Sequence, residues 1–285
     1  MQVLPISVVV PVRNEERNLE DCLSRLGRFA EVVVVDSGST DATVEIARSA
    51  GARVVEFVWN GQYPKKRNWV LINQKLIAPW VLFLDADERI SDEFCNELGR
   101  KISDPDTNGY WLNYSNFFLD KRLNFGVPQR KLALFRVGCG LYERIEEVKW
   151  SALDMEIHEH PVINGRVGTI DVKIEHNDFR GLENFLKRHL EYAKWEANRL
   201  MLLRKDGLAS ATHLTRRQRI KYEYISRWWY PLAYFAFTYV VKLGVFDGRA
   251  GFEYSFYKAW YFQVIRSLID ENERGAGTEL GRASR

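Results

Sequence analysis

Asp85 and Asp87 stand one residue apart at the end of the apolar run Trp80-Val81-Leu82-Phe83-Leu84, with Ala86 between them and Glu88 next. Carboxylate oxygens are hard ligands. Two of them beside an open cleft suit Mg²⁺ or Mn²⁺, which keep positions free for substrate phosphates. A divalent cation between such carboxylates and a pyrophosphate makes that pyrophosphate a better leaving group. The competing reading is local: Asp85 or Asp87 caps the helix that follows, with Ser91-Asp92 as a further N-cap candidate.

A second acidic turn lies upstream, in Val35-Asp36-Ser37-Gly38-Ser39-Thr40-Asp41. The Asp36 carboxylate can accept bonds from a base or a ribose, and Ser37 and Gly38 let backbone approach a ligand closely. Capping of a helix by Ser39 or Asp41 is the alternative. A third loop, Pro11-Val12-Arg13-Asn14-Glu15, follows the first apolar stretch. If three strands end at one sheet edge, all three loops face one crevice, where open α/β sheets bind their ligands.

The elements needed for that arrangement are legible as alternating patterns. Residues 6–10, 31–35, 53–57 and 81–84 are apolar or β-branched runs of strand length. Residues 15–26 carry Leu19, Cys22, Leu23 and Leu26 at helical spacing, a helix starts at 39–41, and another covers 64–77. Alternation of this kind predicts βαβ units and a mostly parallel sheet. After Gly109 the texture changes: residues 110–114 and 132–135 read as strands without intervening helices, which predicts antiparallel additions and loops over the cleft. Residues 182–203 read as a helix.

The expected fold class is α/β, a mixed, mostly parallel nucleotide-binding sheet flanked by helices with a helical, aromatic-rich extension. The expected division is a catalytic domain over residues 1–180, with a nucleotide-sugar half at 1–105 and an acceptor half at 106–180, followed by a membrane-associating extension over 181–285.

Residues 228–241 (WWYPLAYFAFTYVV) form an apolar and aromatic run closed by Lys242. It falls short of the ~20 residues a spanning helix needs. Aromatics at one end and basic residues on both flanks predict an interfacial or re-entrant helix, with residues 252–265 as a second amphipathic stretch. Ordinary packing on the catalytic domain is the alternative.

The 285 residues allow one large domain or a domain plus extension, and the net charge of +3 does not point to nucleic acid. Cys22, Cys95 and Cys139 are scattered, with no metal spacing, and read as reduced structural thiols of a cytosolic protein. The apolar residues 3–12 lack a preceding basic region and read as a buried strand rather than a secretory leader. No G-x-G-x-x-G follows the first strand, and no P-loop or G-x-S-x-G elbow is present.

Three segments, PVRNE (11–15), VVVVDSGSTDAT (32–43) and VLFLDADE (81–88), together resemble inverting family-2 glycosyltransferases, which use nucleotide-sugar donors. Lys65-Lys66-Arg67-Asn68-Trp69 resembles a segment of the subgroup that builds lipopolysaccharide cores, and LALFR (132–136), IHEH (157–160) and GVFDGRAGF (244–252) extend the likeness to bacterial surface-polysaccharide enzymes. The resemblance implies a glycosyltransferase-A fold. It implies that Asp36 contacts the nucleotide base, that the Pro11–Glu15 loop lines the same pocket through Glu15, that Asp85 belongs to the metal and donor site, and that Asp87 is the direct metal ligand. Lys66 and Arg67 either offset phosphate charge or are solvated surface cations.

Inverting transfer needs a base to take the acceptor proton. Glu159 matches the subgroup's His-Glu pair, with Glu143, Glu146 and Glu147 as weaker candidates. His158 and His160 alternate and would share one strand face, as a metal pair or as groups orienting a carboxylate; His176 is expected to be structural or acceptor-facing. Trp111, Tyr114, Phe117, Phe118, Phe125 and Trp150 either stack on sugar or fill core. The implied partners are a nucleotide-sugar donor, a glycolipid or glycan acceptor, and the cytoplasmic face of a bacterial inner membrane. A phosphoacceptor receiver domain and a sugar-phosphate nucleotidyltransferase are the rival readings. The first has a shorter chain, and the second a glycine-rich loop with Arg after its first strand, which PVRNE lacks.

Overall fold

The computed structural model describes residues 3–145, 151, 153–156, 159–177, 181–207 and 214–283, with side chains described up to residue 274 in the last helix. The chain divides into two compact units, one of Met1–Arg122 with Pro128–Phe179, the other of Leu123–Val127 with Arg180–Arg285.

The first unit is built on β1 (Leu4–Val12), β2 (Phe29–Asp36), β3 (Arg53–Glu56), β4 (Trp80–Phe83), β5 (Glu88–Arg89), β6 (Thr107–Phe118), β7 (Lys121–Arg122), β8 (Arg130–Arg136), β9 (Gly140–Tyr142), β10 (Pro161–Ile163) and β11 (Arg166–His176). The main sheet runs β3-β2-β1-β4-β8-β6-β11-β5, with β7 on β6 and a separate β9–β10 pair. β1, β2, β3 and β4 are mutually parallel, joined through α1 (Glu16–Ser24), α2 (Thr43–Ser49) and α3 (Lys66–Asn73). The β-branched runs explain the central strands: Val8, Val9, Val10, Val33, Val34 and Val35 are all buried, as strands covered on both faces require.

β8 enters antiparallel between β4 and β6, α4 (Asp92–Lys101) lies between β5 and β6, and β11 pairs parallel with β6. The mixed sheet flanked by helices is the fold class expected from the sequence. The antiparallel addition was legible; the long β11 and the two-residue β5 were not. The third helix is shorter than expected at both ends, since Lys65 is already extended and the chain leaves the helix at Gln74.

Cys22 and Cys95 are buried in this core and Cys139 is half-buried; all three are free thiols. In α4, Ser91 Oγ accepts from the Phe94 N–H at 3.1 Å, so the helix after the acidic turn is capped by Ser91, not by Asp85 or Asp87.

The second unit consists of α5 (Gly181–Asp206), α6 (Arg216–Tyr224), α7 (Tyr230–Ala236), a π turn at Phe237–Val241, a 3-10 turn at Gly244–Asp247 and α8 (Gly248–Ala283). Its core joins Ala193, Ala197 and Leu200 to Tyr222, Ile225, Phe262, Ile265 and Ile269. The run 228–241 is thus a short helix continued by a π turn. No helix among the described residues is long and apolar enough to cross a membrane.

Candidate functional site

β2, β1 and β4 end side by side: Val12 is paired with Asp36, and Val9 with Phe83. The strand order reverses direction around β1, so the loops after β1 and β4 flank a topological switch point. Pro11 is buried at the end of β1, and Arg13 is exposed. Asn14, at φ 56°, turns the chain so that its Oδ1 accepts from Thr40 N at 2.8 Å while its own N–H donates to Ser39 Oγ at 2.8 Å. Glu15 N–H donates to Thr43 Oγ1 at 2.8 Å, and its Oε2 accepts from Asn18 at 3.0 Å. The loops after β1 and β2 are therefore locked to one another.

Asp36 is buried and accepts from Gly38 N at 3.0 Å and from Ser39 Oγ at 2.5 Å. Gly38 takes φ 74°, a turn that favours glycine, and Ser37 N–H donates to Val12 O at 3.2 Å. The alternative of capping by Asp41 holds in part: Asp41 Oδ1 accepts from Thr43 N at 3.1 Å, just before α2.

The N-terminus of α3 is the hub of the site. Lys65 Nζ donates to Glu159 Oε1 at 2.8 Å. Lys66 Nζ lies 3.2 Å from Asp154 Oδ2 and donates to Val12 O at 3.3 Å. Arg67 donates to Asp85 Oδ1 at 2.8 Å and to Glu156 O at 2.5 Å. Glu156 also receives the Arg67 and Asn68 backbone N–H groups at 2.9 and 3.0 Å, so it caps α3 from a distant segment. Three consecutive cations thus meet three different acids. Burial lowers the Lys66 ammonium pKa, against the pull of Asp154. Neither Lys66 nor Arg67 is a solvated surface cation, since both are buried.

Asp85 is held from both sides, with Lys131 Nζ at 2.5 Å from Oδ2. Burial would raise its pKa, yet Lys131 and Arg67 hold the carboxyl well below the usual range. Lys131 also bonds Glu88, and its ammonium lies 5.0 Å from the Tyr114 ring centroid. Burial, joined by the charge of Asp85, pushes Glu88 upward despite that bond. Ala86 is buried between the two aspartates.

The two-residue β5 pairs antiparallel with the end of β11, His176 opposite Glu88, and this register brings His176 Nε2 to 3.5 Å from Asp87 Oδ2. Asp87 is depressed despite burial, because of His176; the imidazole is raised by Asp87 against its own burial.

Lys131 and Glu156 are the site residues that sequence reasoning missed, and His176, expected to be structural or acceptor-facing, stands beside Asp87. For His176 the signal was its place at the end of a β-alternating segment; for Lys131, its place as the basic residue just before LALFR (132–136). Glu143, the weaker base candidate, donates its N–H to His160 O at 3.1 Å, and His160 stands by Trp111 with ring centroids 6.1 Å apart. No strand carries Glu159 and His160. His158, Glu146, Glu147 and Trp150 lie outside the described residues. Of the candidate sugar-stacking aromatics, Tyr114 and Phe118 are buried, Trp111 and Phe117 half-buried, and Phe125 belongs to the second unit.

Among the described residues no three His, Cys, Asp or Glu side chains are gathered as a metal site. Mg²⁺ characteristically takes one or two protein groups and completes its shell with substrate phosphates and water. Asp87, with His176 beside it, is a donor set of that kind. Asp85 contacts both Arg67 and Lys131, Glu88 contacts Lys131, and Asp87 faces His176 with neither of those cations bonded to it, which leaves its carboxylate the better placed to take added positive charge. The residues present fit a divalent cation.

Comparison with known proteins gives the same lineage. The Glycosyl transferase family 2 model matches residues 7–152, just over half of the chain and the span holding all three acidic strand-end loops. The lipopolysaccharide core biosynthesis glycosyltransferase LpsC of Rhizobium meliloti (strain 1021) is 31% identical over 176 residues, which are 58% of this chain and 60% of LpsC. An uncharacterized glycosyltransferase of Rickettsia bellii (strain RML369-C) is 28% identical over 243 residues, 83% of this chain and 78% of that one. Among solved structures, glucosyl-3-phosphoglycerate synthase from Mycobacterium tuberculosis, in complex with Mn²⁺, uridine diphosphate and glucosyl-3-phosphoglycerate, is 28% identical over 39% of this chain and 43% of that one, with a TM-score of 0.30. With the acidic loops inside the matched span and ordered at the ends of parallel strands, the protein belongs to glycosyl transferase family 2.

Proposed function

We propose that the protein transfers one sugar, with inversion, from a nucleoside-diphosphate donor, most simply a UDP-sugar, to a hydroxyl of a lipid-linked or lipopolysaccharide-type glycan. The observation that carries this reading is the meeting of Asp36, Asp85 and Asp87 at one end of β2 and β4 with the buried cations of α3.

In this reading the nucleoside lies along the Pro11–Glu15 and Asp36–Gly38 loops, with Asp36 toward the base. Asp87 and His176 would hold Mg²⁺ or Mn²⁺, with Asp85 alongside; the cation would stabilise the charge that develops on the departing diphosphate. Arg67 and Lys131 hold the Asp85 carboxylate in a fixed orientation. Lys66 lies near Asp36 and Asp154 and balances phosphate charge. Glu159, oriented by Lys65, takes the proton of the acceptor hydroxyl as that oxygen attacks the anomeric carbon and the bond to the diphosphate breaks on the opposite face.

The lipopolysaccharide-type acceptor is supported by the likeness to LpsC, a lipopolysaccharide core biosynthesis glycosyltransferase. Attachment to the inner-membrane surface is supported by the turn after α7, where Val240, Val241, Leu243, Val245 and Phe246 are 43% to 69% exposed. The one acid of that turn, Asp247, is buried and accepts from Asn124 and Phe125 N–H groups at 3.0–3.1 Å.

A hydrolysis screen of nucleotide sugars, with and without chelator, tests the core of the proposal. Activity should vanish with chelator, return with Mg²⁺ or Mn²⁺, and fall about a hundred- to a thousandfold in Asp87→Asn. Full activity in that variant would sink the metal assignment.

A further inference from the structure

The first unit holds a cation that the donor chemistry does not use. Asn113 of β6 stands opposite Arg130 of β8, and Thr169 of β11 stands opposite Trp111 of β6. Residues paired across strands share a face, and successive residues alternate. Trp111, Asn113, Arg130 and Thr169 therefore gather on one face, while Lys131, one residue on, turns to the other. The contacts agree. Arg130 Nη2 donates to Thr169 Oγ1 at 2.9 Å, and its guanidinium carbon lies 5.6 Å from the Trp111 ring centroid. Lys131 reaches Tyr114, Asp85 and Glu88 instead. His160 lies against Trp111, with ring centroids 6.1 Å apart, so the segment carrying Glu159 rests on the Arg130 face.

Arg130 is exposed, and among the described residues it is paired with no carboxylate. Thr169 takes one donor of its fork and the indole ring restrains the guanidinium plane, so the remaining donors stay open in a fixed orientation. The indole N–H of half-buried Trp111 likewise has no partner among the described residues. Asn113 Nδ2 donates to Ile170 O at 2.8 Å, which fixes the amide and leaves its Oδ1 as an open acceptor. A held guanidinium, an indole N–H and an amide oxygen together can meet one acid group and the hydroxyls beside it.

We propose that Arg130, held by Trp111 and Thr169, binds an acidic group of a sugar, a carboxylate or a phosphate ester, with Trp111 Nε1 and Asn113 Oδ1 meeting neighbouring hydroxyls. That this sugar belongs to the acceptor glycan rests on the transferase reading and on Glu159 as its base; the anion site itself does not. Arg130 then selects by charge. An acidic sugar satisfies the guanidinium, and a neutral sugar of the same shape leaves it to water. The site is distinct from the donor diphosphate, which the cations Lys66, Arg67 and Lys131 adjoin through the acidic loops.

Ligand-observed NMR titration of the full chain with glucuronate, glucose 6-phosphate and glucose tests the site. At least one acid probe should bind about tenfold more tightly than glucose, and the one with the larger preference identifies the acid as carboxylate or phosphate. Arg130→Met, at an exposed position, should remove the preference, Arg130→Lys should keep part of it, and added salt should weaken the acid probe alone. Trp111 acts through Arg130, so Trp111→Leu should lower the ratio of acid to neutral binding while Trp111→Phe, which keeps a ring face, retains it. Lys187→Met, which removes an exposed cation already paired with Glu183, should change nothing. Failure of the wild type to bind either acid probe, equal binding of acid and neutral probes, or a preference that survives Arg130→Met overturns the site. Nucleotide-sugar hydrolysis by the wild type is read in parallel: its absence would sink the transferase reading, while the acid preference stands or falls by the titration.

Discussion

Glu159 and Lys131 show how charge is used one residue at a time in this site. Glu159 has a side chain only 2% exposed and an ammonium at 2.8 Å, so its carboxylate is held in one place. Glu159→Gln keeps the shape and removes the proton acceptor. Transfer should fall by about a hundred- to ten-thousandfold while donor affinity, read by calorimetry with the nucleotide, stays near wild type. Near-normal turnover would remove Glu159 from the role.

Lys131 bridges Asp85 and Glu88, and Glu88 is fully enclosed. Lys131→Met leaves that acid without its cation and should destabilise the fold by about 3 kcal/mol. Adding Glu88→Gln should restore part of the loss, a coupling that denaturant unfolding of the two single variants and the double variant would measure. Additive losses would mean that the two groups do not act as a pair.

At the scale of elements, the central strands were legible because each is a local apolar run whose burial needs no knowledge of its neighbours. Residues 32–35 and 80–84 are such runs, and Asp36 and Asp85 mark their ends in the sequence itself. His176 and Lys131 reach the site for another reason. β11 must pair with β5 so that His176 falls opposite Glu88, and β8 must enter between β4 and β6. Register across such separations is set by the whole sheet, and a slip of one residue would turn His176 to the other face. Glu156 was hidden for the same reason, since it caps α3 from nearly ninety residues away in the chain.

The opposite end of the sheet carries a structural counterpart. Glu31 of β2 accepts from Ser7 Oγ at 2.7 Å, Ile77 N at 3.2 Å and Arg53 Nε at 3.0 Å. Burial favours its neutral form, but these donors outweigh that and lower its pKa. A carboxyl depressed in the folded state adds stability above its unfolded value, ~4.3, and loses it as pH falls through the folded value. Glu31→Gln should therefore cost about 1–2 kcal/mol at neutral pH, and the gap from wild type should close below about pH 4. A gap independent of pH in thermal unfolding would refute this account.

For the whole molecule, the proposed attachment to a membrane surface rests on the exposed apolar turn after α7. Burying an exposed Phe or Val side chain in an apolar phase is worth about 1.5–3 kcal/mol. Phe246→Ser and Val241→Ser should each lower sedimentation with anionic vesicles by about tenfold while nucleotide-sugar hydrolysis stays constant. Unchanged sedimentation would place the attachment elsewhere.

The main sheet ends in β3, four residues long with Arg53 and Glu56 as its end residues, and in β5, two residues long. Unpaired backbone on a long, flat border would recruit strands from other chains. Here β3 is short and charged, and on the other border, where β5 covers only Glu175 and His176 of β11, the Asp171 and Val172 N–H groups donate to the Glu97 carboxylate rather than standing open. The catalytic half should therefore stay monodisperse when concentrated and resist fibril growth, even with so many valines in its interior.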